Sequence, residues 1–178
     1  PPFIGKDSSA FVQLNRNKES ISLDIKENKG KEILRKLIKN SDVLIENSRV
    51  GTMDKLGFGY KDVKKINPKV IYCSITGFGT DGPYAKRGGF DLIAQGMSGL
   101  MSITGHPDSP PAKVGVPIAD LNTGMFAMQG ILSAYIHRLK NNEGQYLEVS
   151  LLESALAYTM YESSIYFTTG KISTPDGS

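Results

Sequence analysis

Apolar and polar residues follow two different periods along this chain, and the switches between them mark its elements. Ser20-Ile21-Ser22-Leu23-Asp24-Ile25 alternates at every second residue and reads as a strand. Ile33, Leu34, Leu37 and Ile38 then recur at spacings of one, three and four. That pattern puts them on one face of an amphipathic helix in the lysine-rich stretch that Asn28 precedes, ending near Asn40. Val43-Leu44-Ile45-Glu46 is a short apolar strand. Residues 54–60 hold two glycines and read as a turn or short helix, and residues 62–66 as further helical turns stopped by Asn67-Pro68. The run from Val70 to Ile75 has the strongest buried-strand character.

Residues 76–89 form a glycine-rich loop. Residues 91–100 predict a helix faced by Leu92, Ile93, Gln95 and Met97, followed by a Pro/Gly loop over 102–117. The longest helical pattern comes after Asp120, through Met125, Met128, Ile131, Leu132, Tyr135, Ile136 and Leu139. A turn at 141–144, a strand at 145–149 and a helix over 151–167 complete the chain. Strands alternating with helices predict an α/β fold, a parallel sheet with flanking helices. Functional loops in such a fold lie at the carboxyl ends of the strands.

Composition narrows this picture only slightly. The chain has 178 residues, 39% apolar and 22% charged, which suits one globular domain or two small ones. The net charge of +3 is too small to argue for nucleic acid and suits an anionic small ligand equally well. The single cysteine, Cys73, allows no intrachain disulfide, so a reducing, cytoplasmic setting is expected. Its place in an apolar strand favours a buried structural thiol over a nucleophile. No apolar stretch approaches the ~20 residues that span a bilayer, and no secretory signal opens the chain. Pro1-Pro2-Phe3 reads as the interior of a longer chain, and Thr174-Pro175-Asp176-Gly177-Ser178 as a loop cut short.

Three segments carry candidate chemistry. Gly77-Phe78-Gly79-Thr80-Asp81-Gly82 fits GxGxxG after a strand, the order of a dinucleotide fingerprint. Pro83 and Gly88-Gly89 leave no long helix to receive a pyrophosphate, which favours a loop that admits a ligand backbone. Lys86-Arg87, Asn15-Arg16-Asn17-Lys18 and Arg49 supply cations and amides, either as a solvated surface or as an anion site. Asp120, ahead of the long helical pattern, is most simply a helix N-cap. The same position suits a nucleophile kept ionised by the helix N-terminus, with backbone N–H groups to steady an oxyanion. His106 and His137 lie apart, and no metal-ligand spacing occurs.

Taken in order, these segments resemble the class III coenzyme A transferases, the CaiB/BaiF family, which includes formyl-CoA and carnitine CoA-transferases. The likeness runs through Asn15-Arg16-Asn17-Lys18 and Ser20 to Asp24, then Asp42 to Asn47 and Arg49-Val50-Gly51. It continues through Asn67-Pro68, Ser74 to Gly79, Gly82-Pro83-Tyr84, Gly89-Phe90-Asp91, Gln95, Ser98-Gly99 and Thr104-Gly105. Asp120 with Thr123-Gly124, Gly144-Gln145 and Val149 to Leu152 complete it.

The resemblance implies that residues 1–178 are part of a large α/β domain built on a six-stranded parallel core. An opening strand would precede Pro1, and a small domain with a glycine-rich lid loop would follow Ser178. It also implies an interlocked homodimer with no partnership to nucleic acid or membrane. The substrates would be an acyl-CoA and a small carboxylic acid, with no metal or redox cofactor required. The catalytic aspartate falls on Asp120, which would form an acyl anhydride and then an aspartyl-CoA thioester. Asn47, Ser48 and Arg49 fall by the CoA nucleotide, and Ile75, Thr76 and Gly77 on the adenine or pantetheine path. Arg87 falls by the phosphates, with Phe90 and Asp91 near the thioester. Racemases of 2-methylacyl-CoA on the same scaffold carry a histidine where this chain has Phe90, and a phenyl ring carries no proton. A non-catalytic CoA-binding or dimerisation fragment is the remaining alternative.

Overall fold

A computed structural model describes residues 2–176, which fall into two compact units divided after Leu34. The first unit opens with a two-residue antiparallel pair, β1 (Phe3–Ile4) and β2 (Asp7–Ser8), and a short helix α1 (Ser9–Leu14). Ser8 caps that helix by accepting the Phe11 N–H at 3.1 Å. The strand expected over Ser20–Ile25 does not form. No partner strand lies beside it among the described residues, and a single strand leaves its backbone groups unpaired. Asp24 instead builds a turn, its carboxylate accepting the Lys26 N–H at 2.9 Å and its carbonyl the Glu27 N–H at 3.2 Å.

Helix α2 (Asn28–Lys39) carries the chain into the second unit. There β3 (Val43–Glu46), helices α3 (Thr52–Leu56) and α4 (Tyr60–Ile66), and β4 (Ile71–Thr76) follow in turn. After them come α5 (Asp91–Met97), α6 (Leu100–Ile103), α7 (Ile118–Asn141), β5 (Tyr146–Ser150), α8 (Leu151–Leu156), a 3-10 turn (Ala157–Thr159) and α9 (Met160–Thr169). The sheet is parallel in the order β3-β4-β5, with Leu44 opposite Tyr72 and Tyr72 opposite Tyr146. Among the described residues it has three strands rather than the six of the resemblance.

Helices cover both faces of this sheet. On one, Tyr60 of α4 packs its ring against Tyr72 and Tyr146, at centroid distances of 5.9 and 5.3 Å. On the other, Gly130 of α7 lies against Leu147, the next residue along β5 and so on the opposite face. β4 lies between two neighbours and two helical layers, which explains its unbroken apolar run. Ile71 and Cys73 are wholly buried, and burial, with the nearby Glu46 charge, holds the Cys73 thiol above its ordinary pKa. A second apolar cluster joins Ala94 of α5, Leu100 of α6, Ala119 of α7, and Leu151 and Ala155 of α8.

Two expected helices break. The one over 91–100 stops at Met97 and restarts at Leu100, because Gly99 takes a left-handed conformation at φ +85°. The one over 151–167 tightens at Ala157–Thr159, where the Thr159 hydroxyl donates to the Leu156 carbonyl at 3.0 Å. On α7 the small residues Ala119, Thr123, Ala127 and Ala134 face inward. Its large apolar residues Met125, Met128, Leu132, Ile136 and Leu139 are exposed.

The glycine-rich loop is fixed by a backbone contact. A β-carbon on Gly77 would come within 2.6 Å of the Gly89 backbone, so the two ends of the loop approach more closely than side chains permit. Gly77→Ala is expected to destabilise the protein by about 1–3 kcal/mol, the range for forced overpacking. Gly88→Ala, which meets nothing within 4 Å, is expected to stay within about 0.5 kcal/mol. Urea unfolding of the two variants beside the parent checks both.

Candidate active site

The carboxyl ends of the three strands and the first turn of α7 enclose a cleft of about 520 Å³. Asn47, Ser48 and Arg49 reach it from the loop after β3, and Ile75, Thr76 and Gly77 from the end of β4. Arg87 and Phe90 come from the glycine-rich loop, Asp91 from the start of α5 and Asp120 from α7. All ten residues selected from the sequence therefore line one cavity. Val50, Ala85, Thr123, Gly124 and Leu151 also line it and were not selected.

Hydrogen bonds tie the loops to the sheet. The Asn47 side chain donates to the Ile75 carbonyl at 2.7 Å. Glu46 accepts the Ser48 N–H at 2.8 Å with one carboxylate oxygen and the Ser74 hydroxyl with the other. The Gly77 carbonyl accepts the Leu152 N–H at 3.1 Å, which joins the end of β4 to α8. Ser150 caps α8 by accepting the Glu153 N–H at 3.2 Å, and its hydroxyl donates to the Glu153 carboxylate at 2.6 Å. The Arg87 guanidinium lies over the Tyr84 ring at 4.3 Å. Among the described residues neither Arg49 nor Arg87 is held in an ion pair, so both charges remain available to an anion.

Asp120 is not the N-cap. α7 begins two residues earlier, after Pro117, and has no side-chain cap of its own. The capping group is Asp91, whose Oδ1 accepts the Ala119 N–H at 2.8 Å and the Asp120 N–H at 3.4 Å. Those two amides are therefore not free for an oxyanion. The positive end of the helix faces Asp91, and Asp120 gains little from it. Burial and the Asp91 charge instead push the Asp120 carboxyl above the ordinary carboxylate range. Its side chain is otherwise exposed to the cleft.

The remaining candidates lie elsewhere. No helix follows Gly82, and α5 starts only at Asp91, so the GxGxxG segment is a loop without a pyrophosphate seat. Neither His106 nor His137 lines the cleft. Asn15 to Lys18 belong to the first unit, where Lys18 donates to the Asn15 side chain at 3.3 Å. The described residues contain no group of three or more His, Cys, Asp or Glu placed to hold a metal. No helix among them is long and apolar enough to cross a membrane.

The profile of a family described as CoA-transferase family III matches residues 1–178. The chain belongs to this family. It is 42% identical over 177 residues to a succinate–glutarate CoA-transferase of Agrobacterium fabrum, covering 96% of this chain and 44% of that protein. An acetyl-CoA:oxalate CoA-transferase of Acetobacter aceti is also 42% identical, over 96% of this chain and 44% of that one. Among solved structures, a CaiB/BaiF family protein from Brucella suis superposes with a TM-score of 0.88 at 42% identity, over 92% of this chain and 43% of that one. This family III chain thus spans less than half the length of the relatives it matches.

The raised pKa of Asp120 has a consequence for stability. A folded-state carboxyl above its unfolded value binds its proton more tightly in the fold, so ionising it costs stability as pH rises through that window. Asp120→Asn should therefore melt above the parent at pH 7. The gap should close as pH falls below about 4, where the unfolded carboxyl is also protonated. Thermal melts of both proteins across this pH range check it.

Proposed function

We propose that the full-length protein is a CoA-transferase in which Asp120 carries the transferred group. The supporting observation is the position of its carboxylate, made more basic by burial and by Asp91 and facing a cleft that also holds Arg49 and Arg87. An Oδ of Asp120 attacks the thioester carbonyl, the C–S bond breaks, and a mixed anhydride and the CoA thiolate form. The thiolate then attacks the Asp120 carbonyl carbon and expels the donor acid as its carboxylate, which leaves an aspartyl-CoA thioester. The acceptor carboxylate attacks that thioester, and the released thiolate takes the acceptor acyl group, which restores Asp120.

Arg87 and the Asn47–Arg49 loop are proposed to hold the anionic nucleotide portion of CoA, with Ile75, Thr76 and Gly77 along its path. Phe90 and Asp91 border the thioester. The substrate acid is proposed to be a small dicarboxylate, on the names of the Agrobacterium and Acetobacter relatives. The exposed apolar stripe of α7 supports the homodimer that the resemblance implies. A cytoplasmic setting rests on the free, buried Cys73 thiol. Racemisation of an acyl-CoA needs a second proton carrier in the cleft, and Phe90 stands where a histidine would serve.

The test uses full-length protein incubated with succinyl-CoA, then treated with hydroxylamine and digested for mass spectrometry. A hydroxamate on Asp120 is the expected result, and Asp120→Ala should lower kcat about a thousandfold or more. An unlabelled Asp120 together with an active Asp120→Ala variant removes the proposal. Arg87→Ala is expected to raise the KM for acyl-CoA about tenfold with kcat within about threefold, the signature of binding energy shared by ground and transition states. Steady-state kinetics with varied succinyl-CoA measure it.

A further inference from the structure

Gln95 is wholly buried on α5, and none of the chemistry above uses it. A buried amide needs partners for both its oxygen and its nitrogen. Its Oε1 accepts the Val114 N–H at 2.9 Å, and its Nε2 donates to Asp91 Oδ2 at 2.7 Å. The same nitrogen lies 3.5 Å from the Val116 carbonyl oxygen. Asp91 Oδ1 faces the Ala119 and Asp120 N–H groups. A continuous chain of hydrogen bonds therefore runs from the Val114 backbone through Gln95 and Asp91 to the backbone of Asp120.

The direction of each bond in this chain is fixed. The Val114 N–H only donates, so the Gln95 oxygen turns towards it and the NH₂ turns towards Asp91. Asp91 then accepts from three donors, the Gln95 amide and the Ala119 and Asp120 N–H groups. The outcome at Asp120 has two parts. Its backbone is held at a set distance from α5, and a negative charge stands beside its side chain. Arg49, Arg87 and Asp91 are the other charged side chains lining the same cleft.

We propose that Gln95 and Asp91 are positioning residues for Asp120, which together hold the first turn of α7 so that its carboxylate is aimed into the cleft. This rests on the reading of Asp120 as the acyl carrier. Gln95 acts only through Asp91 and touches no substrate.

The test compares full-length parent, Asp91→Asn, Asp91→Asn with Gln95→Glu, and Gln95→Met. In Asp91→Asn the new amide keeps its oxygen on Ala119 and sets its NH₂ against that of Gln95. Rotating Gln95 only moves the clash to the Val114 N–H. Adding Gln95→Glu restores an acceptor for both donors and shifts the charge one link from Asp120.

Asp91→Asn is expected to lower kcat about thirtyfold or more, with the KM for succinyl-CoA within about threefold. The acid limb of kcat should move to lower pH, and deuterium exchange at the Ala119 and Asp120 amides should accelerate. The double variant should recover about tenfold in kcat and regain exchange protection. Gln95→Met, apolar and similar in size, should lower kcat about tenfold at unchanged KM.

The proposal is overturned if folded Asp91→Asn or Gln95→Met keeps parental kcat, if the loss falls on KM alone, or if the double variant recovers neither activity nor protection. Hydroxylamine trapping on the parent separates the two layers. An unlabelled Asp120 sinks the carrier reading, while exchange at Ala119 and Asp120 still decides whether the hydrogen-bond chain holds that turn.

Discussion

β4 is hydrogen-bonded along both edges, to β3 and to β5, and that double pairing governs where the cleft forms. A strand so enclosed has no free backbone groups until it ends. Its last carbonyls are then taken by neighbours from elsewhere: that of Ile75 by the Asn47 side chain, that of Gly77 by the Leu152 N–H. The loops after β3 and β4 and the start of α8 are thus drawn together by the need to satisfy the end of one strand. Parallel topology does the rest, since it places all three strand ends on the same side.

The helix terminus beside this cleft is used in an unexpected way. A free N-terminus would stabilise a negative Asp120 and make it a weaker base. Here the amides of the first turn are occupied by Asp91, which sits on a different helix. The favourable charge–dipole interaction goes to Asp91, and the neighbouring Asp120 carboxylate experiences mainly burial and repulsion. Two aspartates at one helix end are therefore placed differently, one satisfying the backbone and the other facing the cleft.

Much of this was legible in the sequence. Unbroken apolar character identified β4, and the spacing from Met125 to Leu139 located α7. The boundary residues were less visible, because they depend on partners far along the chain. Asp120 looked like a cap because capping by a distant aspartate leaves no local trace. Ser20–Ile25 had the alternation of a strand, yet alternation alone supplies no neighbour to pair with. α7 shows the opposite difficulty. Its periodicity was correct, but its large apolar side chains are exposed and small residues pack on the sheet. All ten selected residues line one cavity, but they were selected by resemblance, and physical pattern alone would have offered only a few. Gln95 was placed on one face of α5 with Leu92, Ile93 and Met97, yet those three are exposed and the amide is buried, because its partners Asp91 and Val114 are polar groups that the pattern does not show.

The contact between Gly77 and Gly89 excludes side chains by backbone on both sides. Most tight packing can be relieved by shrinking the neighbour, so that a harmful substitution becomes neutral in a second background. Here the neighbour has no side chain to shrink. The two positions are consequently closed to local compensation: a side chain at either can be accommodated only by moving the loop backbone, or its cost offset by stabilising changes elsewhere in the chain.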